Sequence, residues 1–570
     1  MRALEMKLMV DMFKTLSIGR IEKLLSSRVS KHDLSEIIVC MLIIVYTVVF
    51  SYYTILKYNA FRAYAWDLGI FNQAFWTTLH EGKLFYYTVE LFVNPSGNFL
   101  GSHFSPILFL VLPVYYLHPA PETLLVFQSF ILALGALPLY YFTKEKLNHR
   151  TAAVVFVLAY LIYPPLHGVN WFDFHVQAFL PVLFFSTMYS LKKEKWLLYF
   201  VFILLSLSVA ENVPFVVVFI GLYCFWLYRK QVVQMIKEKN LSDKRVLIPI
   251  LTIAIAVFWF LFALWIKRTY FPIDPDYSHF YKAVDNWSVL GIQDDPVKLP
   301  LYIILHPWKV LDATVYDAYV KLVYIVLLFG PLQFLSFKNP KTIIAFVWLG
   351  PALLSNYPPY YLIGSHFPAY VIAFIFLAAV EAVSNKVVSN KNEKQYAASL
   401  KPYIKNILVL SLLFSIFISP LSPLLTTFRN NPPTFSDYQP PSITSHELTL
   451  QTIVNHVPKN ASVLTQNNIF PHFSSRSNAY VYPIGLVLER TPPDRMNGYL
   501  NNLTQNSEYI LVDNVTDSYT ASLVIDRIEN NQSHGLYAFA DGIYLFKRGY
   551  RGPLPCYIPK KEPLKGCKFK

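Results

Sequence analysis

The run EIIVCMLIIVYTVVFSYYTIL, residues 36–56, decides the class of this chain. As a helix it extends about 30 Å, the thickness of a bilayer's hydrocarbon core. It is too long for the apolar region of a cleaved signal, and Met1–Asp33 before it is basic and weakly amphipathic, so it reads as a signal anchor. Further apolar runs follow at Glu122–Phe142, Thr151–Pro164, Ala178–Leu191, Trp196–Ala210, Val213–Tyr228, Val246–Ile266, Leu322–Phe337, Thr342–Ser355, Ala369–Val383 and Asn406–Leu425. Several fall short of the roughly 20 residues that a span needs, so their ends are expected to continue into the neighbouring polar motifs. Charged residues make up 15% of the 570, against about 25% in soluble domains. The reading is a basic N-terminal segment (1–35), an all-α polytopic membrane domain of about 11 spans (36–425) and a small α/β domain (426–570).

The net charge of +14 does not point to nucleic acid, because Lys and Arg collect in short loops between apolar runs. Basic loops contain Lys144, Lys146 and Arg150, then Lys192, Lys193 and Lys195, then Arg229 to Arg245, Lys338 and Lys341, and Lys386 to Lys405. The alternate loops, Pro165–Gln177, Glu211–Asn212 and Asn356–Pro368, carry none. This alternation predicts a multi-pass cell-membrane protein with a cytoplasmic N-terminus and an extracytoplasmic 426–570. His103–Leu117 is apolar, but a full crossing there would invert every later loop. It is therefore expected to be a half-inserted or juxtamembrane helix on the outer face, broken at Pro113.

Sequons at Asn286, Asn460, Asn502, Asn514 and Asn531 fall on the predicted outer side, and the one at Asn240 falls inside. Cys556 and Cys567 flank a short outer tail and are candidates for a disulfide; Cys40 and Cys224 lie in apolar runs and read as small core residues. In the outer domain, Ala461–Thr465, Ala479–Tyr482, Tyr509–Val512 and Gly535–Phe546 have strand character, and Glu447–His456 and Thr520–Asn530 helical character.

Ionisable groups near membrane segments are costly and mark function by default. Here five loops supply them at one predicted level: Asp67, His103, Asp173 with His175, Glu211, and His366. Asp67 and Asp173 suit a general base or ligands for magnesium or manganese, and Glu211 is a third candidate acid. His103, His175 and His366 suit binding of a softer metal or hydrogen bonding to a phosphate. Arg62, Lys267 and Arg268 are the basic groups beside span ends that a lipid phosphate would need. Taken singly, each residue also fits a helix cap or a headgroup contact.

The segments Asp67-Leu-Gly-Ile-Phe-Asn-Gln73, Gly101-Ser-His-Phe-Ser-Pro106, Phe172-Asp-Phe-His175 and Pro471-His-Phe-Ser-Ser-Arg476 resemble a family of predicted polytopic membrane proteins of archaea and bacteria that is defined only as a domain of unknown function. The layout is also similar to that of GT-C glycosyltransferases: an acid just after the first span (Asp67), a second in the next outer loop (Asp173), and a soluble outer domain at the end. The chain lacks a Trp-Trp-Asp signature and has no Asp-x-Asp or Asp-Glu pair at Asp67, which leaves acceptor and metal open. The resemblance implies transfer of a sugar from a polyprenyl-phosphate donor to an acceptor at the outer face, with membrane lipids and that donor as partners. The alternatives are a transporter or lipid flippase and a membrane-anchored scaffold or receptor.

Overall fold

The computed structural model describes residues 31–238, 244–272, 284–292, 298–387, 393–422, 424, 438–483, 493–553 and 557–558. Nearly all of the N-terminal segment and both Cys556 and Cys567 lie outside the described residues.

The first apolar run forms α1, Lys31–Asn59. Val39, Ile43, Tyr46 and Phe50 recur every three or four residues and are buried. Met41, Ile44, Val45, Val48 and Tyr52 form an equally apolar stripe that is exposed. A long exposed apolar stripe of this kind suits contact with lipid. Cys40 stands on the exposed side, a correction to its reading as a core residue, whereas Cys224 is buried.

After a turn come α2, Ile70–Glu81, and α3, Leu108–Leu117, which carries Pro113 inside it. At ten residues α3 reaches about 15 Å, half a bilayer's core. Next is α4, Pro121–Leu147. The helices α5, Arg150–Leu161, and α6, Pro164–Trp171, meet at 44°, because Pro164 and Pro165 deny the ladder two N–H donors. Further on are α7, Val213–Leu227, packed on α8, Lys244–Tyr270. In α9, Ile372–Lys386, every residue from Ile372 to Val380 is buried, so this is a central helix. Last in the bundle is α10, Glu393–Ile418.

Among the described residues four helices are long and apolar enough to cross a membrane, or six if each bent pair is one span. The count of about eleven does not emerge from length alone. Trp196–Leu207, α7 and Thr342–Leu353, for example, are apolar helices of 10–17 residues.

Charge segregates to the two ends of the bundle. Near the start of α1, Glu36 pairs with Lys144 at 2.9 Å, and the same end holds Lys192 and Lys193 on Glu145 and Lys341 on Glu381. About 30 Å along α1 lies Lys57, at the end that carries the candidate acids.

The C-terminal region holds α11 (Ser445–His456), α12 (Pro493–Asn506) and α13 (Ser518–Asn531) around a mixed sheet. Its strands are β1 (Val463–Thr465), β2 (Ala479–Val481), β3 (Tyr509–Asp513), β4 (His534–Ala540), β5 (Ile543–Arg548) and the two-residue β6 (Tyr557–Ile558), in the order β2-β1-β3-β5-β4-β6. β1 runs parallel to both neighbours, while β3, β5 and β4 are antiparallel. The expected single strand Gly535–Phe546 is instead a hairpin. Asp541 and Gly542 turn it at φ 47° and 80°, as an Asp-Gly pair favours.

Candidate functional site

Two of the motifs prove to hold the sheet against the bundle. His472 is sandwiched between Tyr58 and Phe61, with ring centroids at 4.2 and 4.0 Å, and bonds through Nε2 to the Tyr58 carbonyl at 3.1 Å. Asn72 donates to the hydroxyls of Ser474 and Ser475 at 2.8 and 3.1 Å, and Gln73 donates to the Arg476 carbonyl at 2.8 Å. A Cβ on Gly69 would stand 2.7 Å from the Phe470 ring. Asp-Leu-Gly-Ile-Phe-Asn-Gln and Pro-His-Phe-Ser-Ser-Arg therefore form one seam.

That seam fixes Asp67, which lies in a π-turn, Ala65–Gly69, a distortion often found beside functional groups. Asp67 Oδ1 faces His175 Nε2 at 3.3 Å. The His175 ring stacks on His366 at 4.1 Å and 7°. Gly168 makes this meeting possible: a Cβ there would sit 1.7 Å from the Ile363 carbonyl oxygen, so α6 lies directly on the turn leading to His366. Burial, with His175 and His103 adding to it, holds the His366 imidazole well below its ordinary pKa. His366 is thus neutral at pH 7.

Asp173 sits beside this pair but is fully engaged. Its residue adopts φ 70°, a left-handed conformation that Asp tolerates better than most. One oxygen takes Lys57 Nζ at 2.6 Å and the other takes the Tyr64 N–H at 3.0 Å. Burial raises its carboxyl pKa and Asp67 adds to that, against the pull of Lys57. Gln128 braces the same loop by donating to the Asp173 carbonyl at 2.6 Å and accepting from the His175 N–H at 2.7 Å.

Glu211 is likewise paired. Oε1 faces Lys267 at 3.0 Å and His103 at 3.4 Å, and Oε2 accepts from the Phe104 N–H at 3.1 Å. Burial pushes its pKa up, but Lys267 and His103 outweigh that and hold it well below the usual carboxylate range. Asn212 joins the two groups, since it accepts from the Tyr370 hydroxyl at 2.7 Å, four residues beyond His366. The two Gly-Ser-His-Phe copies therefore act differently: His103 meets an acid, and His366 meets a second histidine.

Arg268 is exposed and Arg62 half-buried; neither reaches the three acids. Among the described residues no group of three or more His, Cys, Asp or Glu is arranged to hold a metal, and a cation shared by Asp67 and Asp173 would have to displace Lys57 or the Tyr64 N–H. Asn460, Asn502, Asn514 and Asn531 are exposed. Asn286 is half-buried and spends its amide N–H on the Tyr360 hydroxyl at 3.1 Å. One cavity of about 340 Å³ lies against Ile528 and Phe546, and another of about 400 Å³ against Phe337 and Ile343; neither is lined by the three acids.

Lys57 and Gln128 were not singled out from the sequence. Each is a polar side chain at or within an apolar run, which is the signal that was available for both.

The class these features define is a helical membrane protein with a small α/β region docked at its acid-bearing end. The chain belongs to the DUF2079 family of predicted membrane proteins, whose model matches residues 57–545. No curated protein matches it. Among solved structures it is similar to ArnT from Cupriavidus metallidurans in the apo state, at 12% identity and a TM-score of 0.42, over 88% of this chain and 97% of that one. A likeness of that size fixes neither the fold class nor an activity.

Proposed function

We propose that this chain is a GT-C-like glycosyltransferase that uses a polyprenyl-phosphate sugar at the outer membrane face, with Asp67 as its base. The observation that supports this is the uneven treatment of the acids. Asp173 and Glu211 are each neutralised by a lysine, at 2.6 and 3.0 Å. Among the described residues, Asp67 faces a single ionisable partner, the His175 ring, with its side chain 20% exposed. One carboxylate is thereby left able to accept a proton.

In the reaction the acceptor hydroxyl oxygen bonds to the anomeric carbon of the sugar. The bond from that carbon to the phosphate oxygen breaks, and polyprenyl phosphate leaves with the electron pair. The hydroxyl proton passes to Asp67, and the carboxylates nearby favour the positive charge that develops on the sugar. Arg268, exposed beside the engaged Lys267, would face the phosphate. No step is routed through a divalent cation, because the oxygens of Asp173 are already bonded. The segregation of basic loops to the opposite end of the bundle favours the acid end as the outer one.

The test is release of polyprenyl phosphate from lipid-linked sugars by the purified protein in nanodiscs. Asp67→Asn is expected to lose at least about a hundredfold in rate with unchanged thermal stability. An unchanged rate removes Asp67 as the base.

A further inference from the structure

At the end of the bundle opposite the acids, two lysines share one carboxylate. Glu381 takes Lys341 at 2.5 Å, faces Lys146 at 3.8 Å and accepts from the Asn339 amide at 3.0 Å. Lys338, one residue before Asn339, and Lys386, five residues after Glu381 on α9, form a further pair. Lys338 closes the short turn Leu335–Lys338, and Lys386 ends α9, where the helix carbonyls favour a cation. The turn is tied down on α9, since Ser336 donates to the Ile375 carbonyl at 2.7 Å. The Lys386 ammonium also lies 6.0 Å from the Tyr403 ring. The neighbouring Lys386 charge pulls the Lys338 ammonium below the ordinary lysine value. Two like charges held this close, with the nearest acid already in use, call for an anion between or above them.

The same corner has an apolar side. A cavity of about 400 Å³ is lined by Phe337, Lys338, Ile343 and Phe346 among others. Phe337, Ile343 and Phe346 are all exposed. Phe337 also stacks on Phe329 at 4.3 Å, so one wall of the cavity is rigid. A hollow with Phe337, Ile343 and Phe346 in its wall and Lys338 at its rim, with Lys386 beside that lysine, is complementary to one kind of molecule: an acyl chain below and a negative headgroup above. A free anion would use the lysines and leave the hollow unfilled. A neutral lipid would use the hollow and leave the lysines uncompensated.

We propose that Lys338 and Lys386, with the hollow at Phe337, Ile343 and Phe346, form a binding site for an anionic phospholipid at the basic end of the bundle. Basic pockets between membrane helices on the cytoplasmic side bind such headgroups by the same chemistry. The site is separate from the one proposed for sugar transfer and does not depend on that reading.

The experiment is native mass spectrometry of the full-length protein released from nanodiscs, with phosphatidylglycerol, phosphatidylcholine and inorganic phosphate as probes. Phosphatidylglycerol should bind at least about tenfold more tightly than phosphatidylcholine. The Lys338→Gln/Lys386→Gln pair should abolish that preference, and Lys338→Arg/Lys386→Arg should keep it. Ile343→Asp should weaken phosphatidylglycerol without affecting phosphate. Equal binding of the two lipids overturns the site, as does a preference that survives Lys338→Gln/Lys386→Gln. Retention of inorganic phosphate as firmly as phosphatidylglycerol overturns the lipid and leaves a site for a free anion.

Discussion

Lys57 and Asp173 are 6% and 3% exposed and 2.6 Å apart, so neither can lose the other cheaply. Removing one partner strands a buried charge at a cost of about 3–5 kcal/mol, whereas replacing both with apolar groups is often neutral. Lys57→Met should therefore lower the thermal midpoint sharply, and Lys57→Met/Asp173→Leu should recover most of the loss. A single variant as stable as the parent contradicts a structural role for the pair. His446 poses a separate question, of pH. Its ring lies between Asp513 at 2.9 Å and Asp541 at 2.8 Å. The Asp513 hydrogen bond, opposed by burial and helped by Asp541, raises its pKa from 6.5 to about 9. The folded state therefore binds the proton more tightly than the unfolded chain. This stabilisation is complete below pH 6.5 and is lost as pH rises through about 9. Urea unfolding of the parent should weaken across that window relative to His446→Gln; parallel pH profiles contradict the clamp. Asp67, Asp173, His175, Glu211 and His366 were legible in the sequence because ionisable groups beside apolar runs stand out. Their partners were not. Lys57 lies 116 residues from Asp173, and no local pattern encodes a contact at that separation.

At the scale of elements, glycine and proline set the site. The bend at Pro164 turns α6 out of line with α5, and Gly168 lets it rest on the Ile363 carbonyl. Gly168→Ala should cost about 3 kcal/mol, because the added methyl meets backbone that no rotamer can move aside. Its effect should reach the His175–His366 stack, so the histidine ring signals should shift in the NMR spectrum of the folded fraction. A variant with native stability and unshifted histidines contradicts the close approach. The sequence disclosed the proline break only as the end of a span, and Gly168 as an ordinary residue of a polar loop. The hairpin was hidden differently. Gly535–Phe546 alternates and is strand-like throughout, and the Asp-Gly turn signal inside it was outweighed by its flanks. The helix at Ser445–His456 was easier to read. Thr444 and Glu447 form a capping box, a four-residue signature visible in the chain.

For the whole molecule, the alternation of basic loops with loops that lack Lys and Arg carried furthest, since it anticipated two ends of opposite chemistry. The lysine pairs with Glu36, Glu145 and Glu381 gather at one end, and the acids with the docked sheet at the other. What composition could not give was the number of crossings. Short apolar helices and bent pairs pack against one another, so length and hydropathy do not separate a span from a buried segment. The proposed sugar transfer joins this polarity to the chemistry of Asp67: it would take place at the acid-bearing end, with that end facing outward. Sealed vesicles that hold the protein in its native orientation, loaded with polyprenyl-phosphate sugar, test both parts at once when a membrane-impermeant acceptor is supplied only outside. The parent should glycosylate that acceptor, and Asp67→Asn should do so at least about a hundredfold more slowly. Transfer that persists in Asp67→Asn, or that occurs only when the acceptor is sealed inside, would contradict it.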